Sequence, residues 1–177
     1  MVGKNNLKWL MTMSISIRYA LEKDLQEIVD IHNQAIRSKA STGFVHEFSV
    51  EGRKEWFLGH AKERYPLFVA EEDGKVVGWI SISPYRIGRD AFKKTVEVDY
   101  YIHDDFKRKG IGNELLRHML SKANDLGYRT ICAILLDKNI ASIRLLEKNG
   151  FKIWGLIPEA AELNGNLIGH VYYGKKI

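Results

Sequence analysis

Apolar and polar positions along this chain follow two periods, and their succession predicts the order of its elements. A short strand over residues 14–19 opens the pattern. Leu25, Ile28, Val29, His32 and Ile36 then recur at helical spacing, which predicts an amphipathic helix from about Asp24 to Arg37. Residues 39–48 keep no period and read as a loop containing Gly43. Ser49 follows as an N-cap for a helix that carries Trp56, Phe57 and His60 and stops before Pro66. Strands over 67–71 and 76–83 flank Asp73-Gly74, a pair that tolerates the positive φ of a two-residue hairpin. A polar loop, 84–94, leads to a strand at 95–102 and a helix at 110–126 closed by Gly127. A strand at 130–135 and a helix at 140–148, ended by Asn149-Gly150, come next. Strands 151–157 and 167–173, joined around a second hairpin pair, Asn164-Gly165, finish the chain. Hairpins and βα crossovers thus share one sheet, so the fold class is α/β: a single domain with a mixed central sheet flanked by helices.

Composition narrows the picture. The chain has 177 residues, 45% apolar and 28% charged, as expected of one globular domain. That domain is expected over 14–177, with 1–13 as a flexible extension, because the patch Trp9-Leu10-Met11 is too short for a secretory core. One cysteine, Cys132, rules out an internal disulfide framework and fits a cytoplasmic location. No apolar run is long enough to cross a bilayer, so no membrane partner is expected. The net charge of +5 favours an anionic partner, and Lys107-Arg108-Lys109 carries part of it. No aromatics are interleaved with basic residues along a stripe. Nucleic acid is therefore not expected, and a phosphate-rich small cofactor explains the cluster equally well.

The most informative stretch begins at Val98 and ends at Asn113. A strand passes through His103-Asp104-Asp105-Phe106 into Lys107-Arg108-Lys109-Gly110-Ile111-Gly112-Asn113 and then into a helix. A first helical turn presents unpaired N–H groups and partial positive charge. Glycines at 110 and 112 let a pyrophosphate approach that backbone closely. The spacing is neither that of a P-loop nor that of a dinucleotide fingerprint, since the Gly-Lys-Ser/Thr and the third glycine are missing. The alternative is that both glycines serve only the turn and helix packing.

Lys107-x-x-Gly110-x-Gly112 after a strand resembles the Arg/Gln-x-x-Gly-x-Gly/Ala motif of the GNAT superfamily of N-acetyltransferases. Asn139-Ile140-Ala141-Ser142, with Leu145 and Glu147-Lys148-Asn149-Gly150-Phe151, resembles the second motif of that superfamily. Within it, the chain is most similar to the phosphinothricin acetyltransferase-like proteins. Tyr65-Pro66 before Val69-Ala70-Glu71, Gly78-Trp79, Thr95-Val96-Glu97-Val98 and Ala141-Ser142-Ile143 carry that likeness, which runs from Ser16 to Lys175. The resemblance implies acetyl-CoA as co-substrate. Backbone groups of Tyr100, Tyr101 and Ile102 would bind the acetyl and pantetheine arm. Arg108, Lys109, Gly110, Ile111, Gly112 and Asn113 would hold the pyrophosphate. Asn139 would hydrogen-bond pantetheine, with Ser142 beside it. Lys107 departs from the usual Arg/Gln and offers charge without a planar fork. The resemblance also implies a homodimer.

Transfer of an acetyl group to an amine needs a base, charge stabilisation on the acetyl oxygen, and a proton for the departing thiolate. Glu97 matches the glutamate that the resembling family uses as general base. An ordinary carboxylate pKa of about 4.3 would suit a base poorly, so partial burial beside Tyr100 or Trp79 is expected to raise it. The other reading of Glu97 is a solvated strand residue or an ion pair with Lys93 or Lys94, and Asp99 is the weaker substitute. The acetyl oxygen would be met by a backbone N–H near Tyr101 or Ile102. Related enzymes often carry Tyr or His seven residues after the motif asparagine, where this chain has Leu146, which donates no proton. Water, a different tyrosine such as Tyr172 or Tyr173, or release of the thiolate into solvent would serve instead. Cys132 lies in an apolar strand and reads as inert, which argues against an acetyl-enzyme. The six histidines lack metal-ligand spacing, and no metal is expected.

The acceptor site is expected between loops 39–48 and 84–94, facing Glu97. Phe44 and Tyr85 would wall it, and Arg86 and Arg89, three residues apart, would pair with an acceptor carboxylate or simply solvate their loop. The resemblance implies the primary amine of a small amino acid or analogue, of the phosphinothricin or methionine sulfone and sulfoximine type. A protein lysine or N-terminal acetyltransferase, or a non-catalytic CoA-binding module, stands as the alternative.

Overall fold

The computed structural model describes residues 15–177. The expected extension 1–13 and the start of the first strand at Ser14 lie outside the described residues. Strands β1 (Ser16–Tyr19), β2 (Leu67–Glu72), β3 (Lys75–Pro84), β4 (Thr95–Ile102), β5 (Thr130–Leu136), β6 (Lys152–Leu163) and β7 (Asn166–Lys176) form one sheet in the order β1-β2-β3-β4-β5-β7-β6. Among the described residues only β4 and β5 pair in parallel. Helices α1 (Leu25–Ser38) and α2 (Val50–Leu58) cover one face, and α3 (Ile111–Asp125) and α4 (Ile140–Lys148) the other.

Local chemistry accounts for these boundaries. Asp73 and Gly74 both hold positive φ in the β2–β3 hairpin, and Asn164 and Gly165 do the same between β6 and β7. The Ser49 hydroxyl accepts from the Gly52 amide at 3.0 Å and starts α2. That helix ends at Leu58, two residues before the expected His60, and buries none of its residues fully. Gly127, at φ 73°, closes α3.

Strand residues divide between two cores. Val96 and Val98 point with Ile131, Ala133, Leu115, Leu116 and Met119 into the α3–α4 side. Trp79, Val69 and Val76 meet Ile28 and Ile31 of α1 on the other side. There the buried Trp79 indole N–H donates to the Ile28 carbonyl at 3.1 Å, fixing α1 on β3. The largest departure from expectation is β6, which runs to Leu163 rather than 157. Its residues are mostly exposed, and a register shift between Ile157 and Ala161, with Glu159 at φ 51°, interrupts the alternation that would have revealed the strand.

Candidate active site

The parallel pairing of β4 and β5 joins Thr95 to Thr130, Val96 to Ile131 and Glu97 to Cys132, and stops there. Beyond Glu97, β4 stays paired with β3 as far as Ile102, and β5 stays paired with β7 as far as Leu136. The two strands therefore part like the arms of a V, leaving the β5-facing edge of β4 from Val98 to Ile102 without a strand partner. Strand backbone must find hydrogen bonds somewhere, so this edge is available to an extended ligand. Both βα crossovers leave from the open end: β4 leads to α3 and β5 leads to α4.

At the head of α3, Gly110 occupies the cap position with φ 88° and no side chain caps the first turn. Arg108 also has positive φ, 62°, so the chain winds tightly just before the helix. No atom lies near the place where a Cβ on Gly110 would project, whereas one on Gly112 would come within 3.1 Å of Leu145. Gly110 thus keeps the approach to the amides open, and Gly112 lets α3 pack beside α4. The basic residues are partly engaged. Lys107 pairs with Asp104 at 2.5 Å, and the Lys109 ammonium stands 4.4 Å over the Phe106 ring. Ile111 is buried, and the Asn113 side chain accepts from Asn149 at 3.1 Å. At the head of α4, Asn139 Oδ1 accepts from the Ser142 amide at 3.2 Å, which leaves the Asn139 amide nitrogen free to donate outward.

Glu97, Asp99 and Tyr101 occupy alternate positions of β4 and face the α1–α2 side, where Tyr101 joins Trp79 and Ile28. Tyr100 points the other way, so it does not flank Glu97 as expected. Among the described residues Glu97 forms no ion pair with Lys93 or Lys94. Burial, reinforced by the neighbouring Asp99 carboxylate and opposed by Arg86, pushes Glu97 up to about 7. Burial also raises Asp99, against the pull of Arg53. Cys132, across from Glu97, is buried, and burial pushes its thiol above its ordinary value.

A cleft of about 310 Å³ opens on this face of the V. Residues 41–44 form one wall, Asp99 and Tyr101 the floor, and Ile134 to Leu136, Ala160, Ala161 and His170 the opposite wall. Phe44 lines it as expected. Tyr85, Arg86 and Arg89 do not, because the loop after β3 lies at the Thr95 end of β4, where the Tyr85 amide meets the Thr95 carbonyl at 3.4 Å. Arg86 is exposed and stacks 4.6 Å over Tyr85, whose ring contacts Phe92 at 5.9 Å. Arg89 is exposed.

Two features escaped the sequence reading. His32 is 3% exposed, stacks on Tyr101 at 4.4 Å, and neither ring nitrogen has a hydrogen-bond partner among the described residues. Burial lowers it to about 4, so it stays neutral. Arg53 lies over the rings of Trp56, at 3.8 Å, and Phe48, at 4.5 Å. Spacing alone offered the Arg53–Trp56 pair, one helical turn apart, but nothing tied Phe48 to it. Leu146 is buried in the core, and Tyr173 donates its hydroxyl to Glu147 at 2.9 Å; the Tyr100 hydroxyl is buried without a hydrogen-bond partner among the described residues.

Comparison with known proteins agrees with this architecture. The model of the acetyltransferase (GNAT) family matches residues 25–151. YwnH of Bacillus subtilis is 41% identical over 152 residues, covering 85% of this chain and 92% of that protein. The L-methionine sulfoximine/L-methionine sulfone acetyltransferase of Pseudomonas paraeruginosa is 33% identical over 154 residues, 86% of this chain and 89% of its own. The crystal structure of a phosphinothricin acetyltransferase from Sinorhizobium meliloti in complex with acetyl-CoA superposes with a TM-score of 0.88 at 26% identity, covering 93% of this chain and 89% of that one. With the mixed sheet, the V between β4 and β5 and the glycine-bearing head of α3 in place, the chain belongs to the acetyltransferase (GNAT) family and is an N-acetyltransferase.

Proposed function

We propose that this N-acetyltransferase moves an acetyl group from acetyl-CoA directly to the primary amine of a small amino acid or analogue, with Glu97 as general base. The observation that carries the reading is the juxtaposition of an open β4 edge with a raised carboxylate at the closed end of the V. The residues present fit the co-substrate: an open head of α3 beside basic side chains for the pyrophosphate, and an unpaired strand edge for an extended arm. Acetyl-CoA supplies the acetyl group as an activated thioester.

The head of α3, from Arg108 to Asn113, holds the phosphates with its amides, and Lys107 and Lys109 add charge. The Asn139 amide and Ser142 orient the arm, and the backbone of Tyr100, Tyr101 and Ile102 takes it as an added strand. An N–H near Tyr101 or Ile102 meets the negative charge that develops on the acetyl oxygen. Glu97, raised to about 7, accepts the amine proton, directly or through water, near neutral pH. Tyr100, whose hydroxyl is buried near Ser142 and without a hydrogen-bond partner among the described residues, is the side chain best suited to return a proton to the thiolate in place of Leu146. Cys132 takes no part, because a buried thiol with a raised pKa is a poor nucleophile.

The L-methionine sulfoximine/L-methionine sulfone acetyltransferase relative supports a small amino-acid acceptor. We also propose a homodimer acting in the cytoplasm, with β6 at the interface. Ile153, Trp154, Leu156 and Ile157 of β6, with Leu167 of the adjoining β7, are each about half exposed, a group of apolar side chains at this end of the sheet. Free-thiol release measured with acetyl-CoA and a panel of free L-amino acids tests the assignment. Release with at least one of them supports it, and release only with peptide amines contradicts it.

A further inference from the structure

Arg53 is set as a guanidinium rarely is. It is half-buried, yet among the described residues it has neither a hydrogen-bond acceptor nor an ion-pair partner. Its guanidinium carbon lies over both the Trp56 and the Phe48 rings. Phe48 is in turn locked by the Asn33 side chain, which accepts from its amide and donates to its carbonyl, both at 2.9 Å. Trp56 rests edge-on against Trp79 at 5.5 Å. A guanidinium set over two rings in this way has lost rotamer freedom but keeps its edge, with its row of N–H donors, for a planar anion. Its nitrogens are not sealed from water, so those donors are open to a ligand, and burial already works against the charge that an anion would stabilise.

The charge pattern around it indicates which anion. Arg53 acts on Asp99 and Tyr101, the two β4 residues on the floor of the cleft. Asp99 likewise has no hydrogen-bond partner among the described residues. A fixed cation and an unmatched carboxylate on one side of the sheet complement a zwitterion: ammonium toward Asp99 and Glu97, carboxylate toward Arg53. Neither arginine lines the cleft itself, nor does Glu97; Arg53 acts on its floor residues Asp99 and Tyr101, whereas Arg86, at the other end of the carboxylate pair, is exposed and shares a long bond of 3.4 Å with the Tyr85 carbonyl.

We propose that Arg53, lying over Phe48 and Trp56, is the anchor for the carboxylate of the acceptor and selects α-amino acids over amines that lack one. This rests on the reading that the acceptor is a small amino acid, and the experiment separates the two. Steady-state kcat/KM is measured for the free L-amino acids that turn over and for their α-carboxamides, with wild type, Arg53→Gln, Arg53→Lys and Arg86→Gln. Wild type prefers the acid. Arg53→Gln lowers kcat/KM for the acid about 100-fold, mainly through KM, and changes the amide less than about threefold. Arg53→Lys, which keeps charge without the fork, loses about tenfold. Acetyl-CoA affinity and thermal midpoint serve as controls that all three variants are folded. A wild type that turns over only amines without a carboxylate overturns the amino-acid reading itself. A wild type that prefers acids, with that preference intact in Arg53→Gln or abolished in Arg86→Gln, overturns the role of Arg53 alone. Equal losses on acid and amide overturn it as well.

Discussion

Replacing Glu97 by glutamine removes the base while keeping the shape of the side chain, and its consequences follow from one quantity. Burial and Asp99 raise Glu97 from 4.5 to about 7. With the free enzyme active only when Glu97 is ionised, kcat/KM falls about tenfold per pH unit below 7, to about one hundredth of its plateau at pH 5. Glu97→Gln loses about 100- to 10,000-fold at pH 8, the usual range for a general base, and its residual rate no longer shows that acid limb. Stability moves in the opposite direction. A carboxyl raised on folding contributes stability that is fully present below 4.5 and lost as pH rises through about 7, because the ionised form is penalised in the fold. A rise of that size would be worth roughly 3 kcal/mol at full burial, and half-burial with solvent screening reduces it to about 1–2 kcal/mol. The glutamine variant is therefore more stable than wild type by about that amount above pH 7, and the gain fades toward pH 4. Thiol release across pH 5–9, paired with urea unfolding at pH 5 and pH 8, measures both. Loss of less than about tenfold in rate, or an unchanged acid limb in the variant, would refute the assignment of the base.

Other consequences are independent of that one. Asp99→Asn removes the anion beside Glu97, so the acid limb of kcat/KM moves to lower pH while burial keeps it above the ordinary carboxylate range; a limb moving upward would contradict the pairing. Gly110→Val forces a β-branched residue to φ 88° and places its branch over the head of α3. Calorimetry with acetyl-CoA should show at least a tenfold weaker Kd, on the order of 1.4 kcal/mol, and a lowered thermal midpoint. Leu156→Glu on the β6 edge places a charge in the proposed interface. Sedimentation at micromolar concentration should then show a single chain where wild type shows two.

Much of this architecture is written locally. Asp73-Gly74 and Asn164-Gly165 announce their hairpins because few other pairs accept positive φ twice, and α3 declares itself through Leu115, Leu116 and Met119 on one face. The strand β6 does not, because Ile153, Trp154, Leu156 and Ile157 are exposed and the shift at Glu159 breaks the period. The site divides in the same way. Residues 107–113 and Asn139 are legible because helix heads have short, local signatures. The divergence of β4 from β5 after Glu97 has no local signature, since it depends on where two strands separated by a whole helix stop pairing. That divergence moves the cleft toward Thr42 and His170 and away from Arg86 and Arg89. Arg53 was hidden for a related reason: its setting joins Phe48, from the loop, to Trp56, from the helix.

The most direct test of the account is a titration of acetyl-CoA into the purified protein by calorimetry, followed in the same sample by free L-amino acids with thiol release monitored. The account predicts micromolar binding at one site per chain, then release of one thiol per N-acetylated amino acid formed, at a rate that rises through pH 7. Absence of acetyl-CoA binding, or binding with no release for any amino acid, would contradict it.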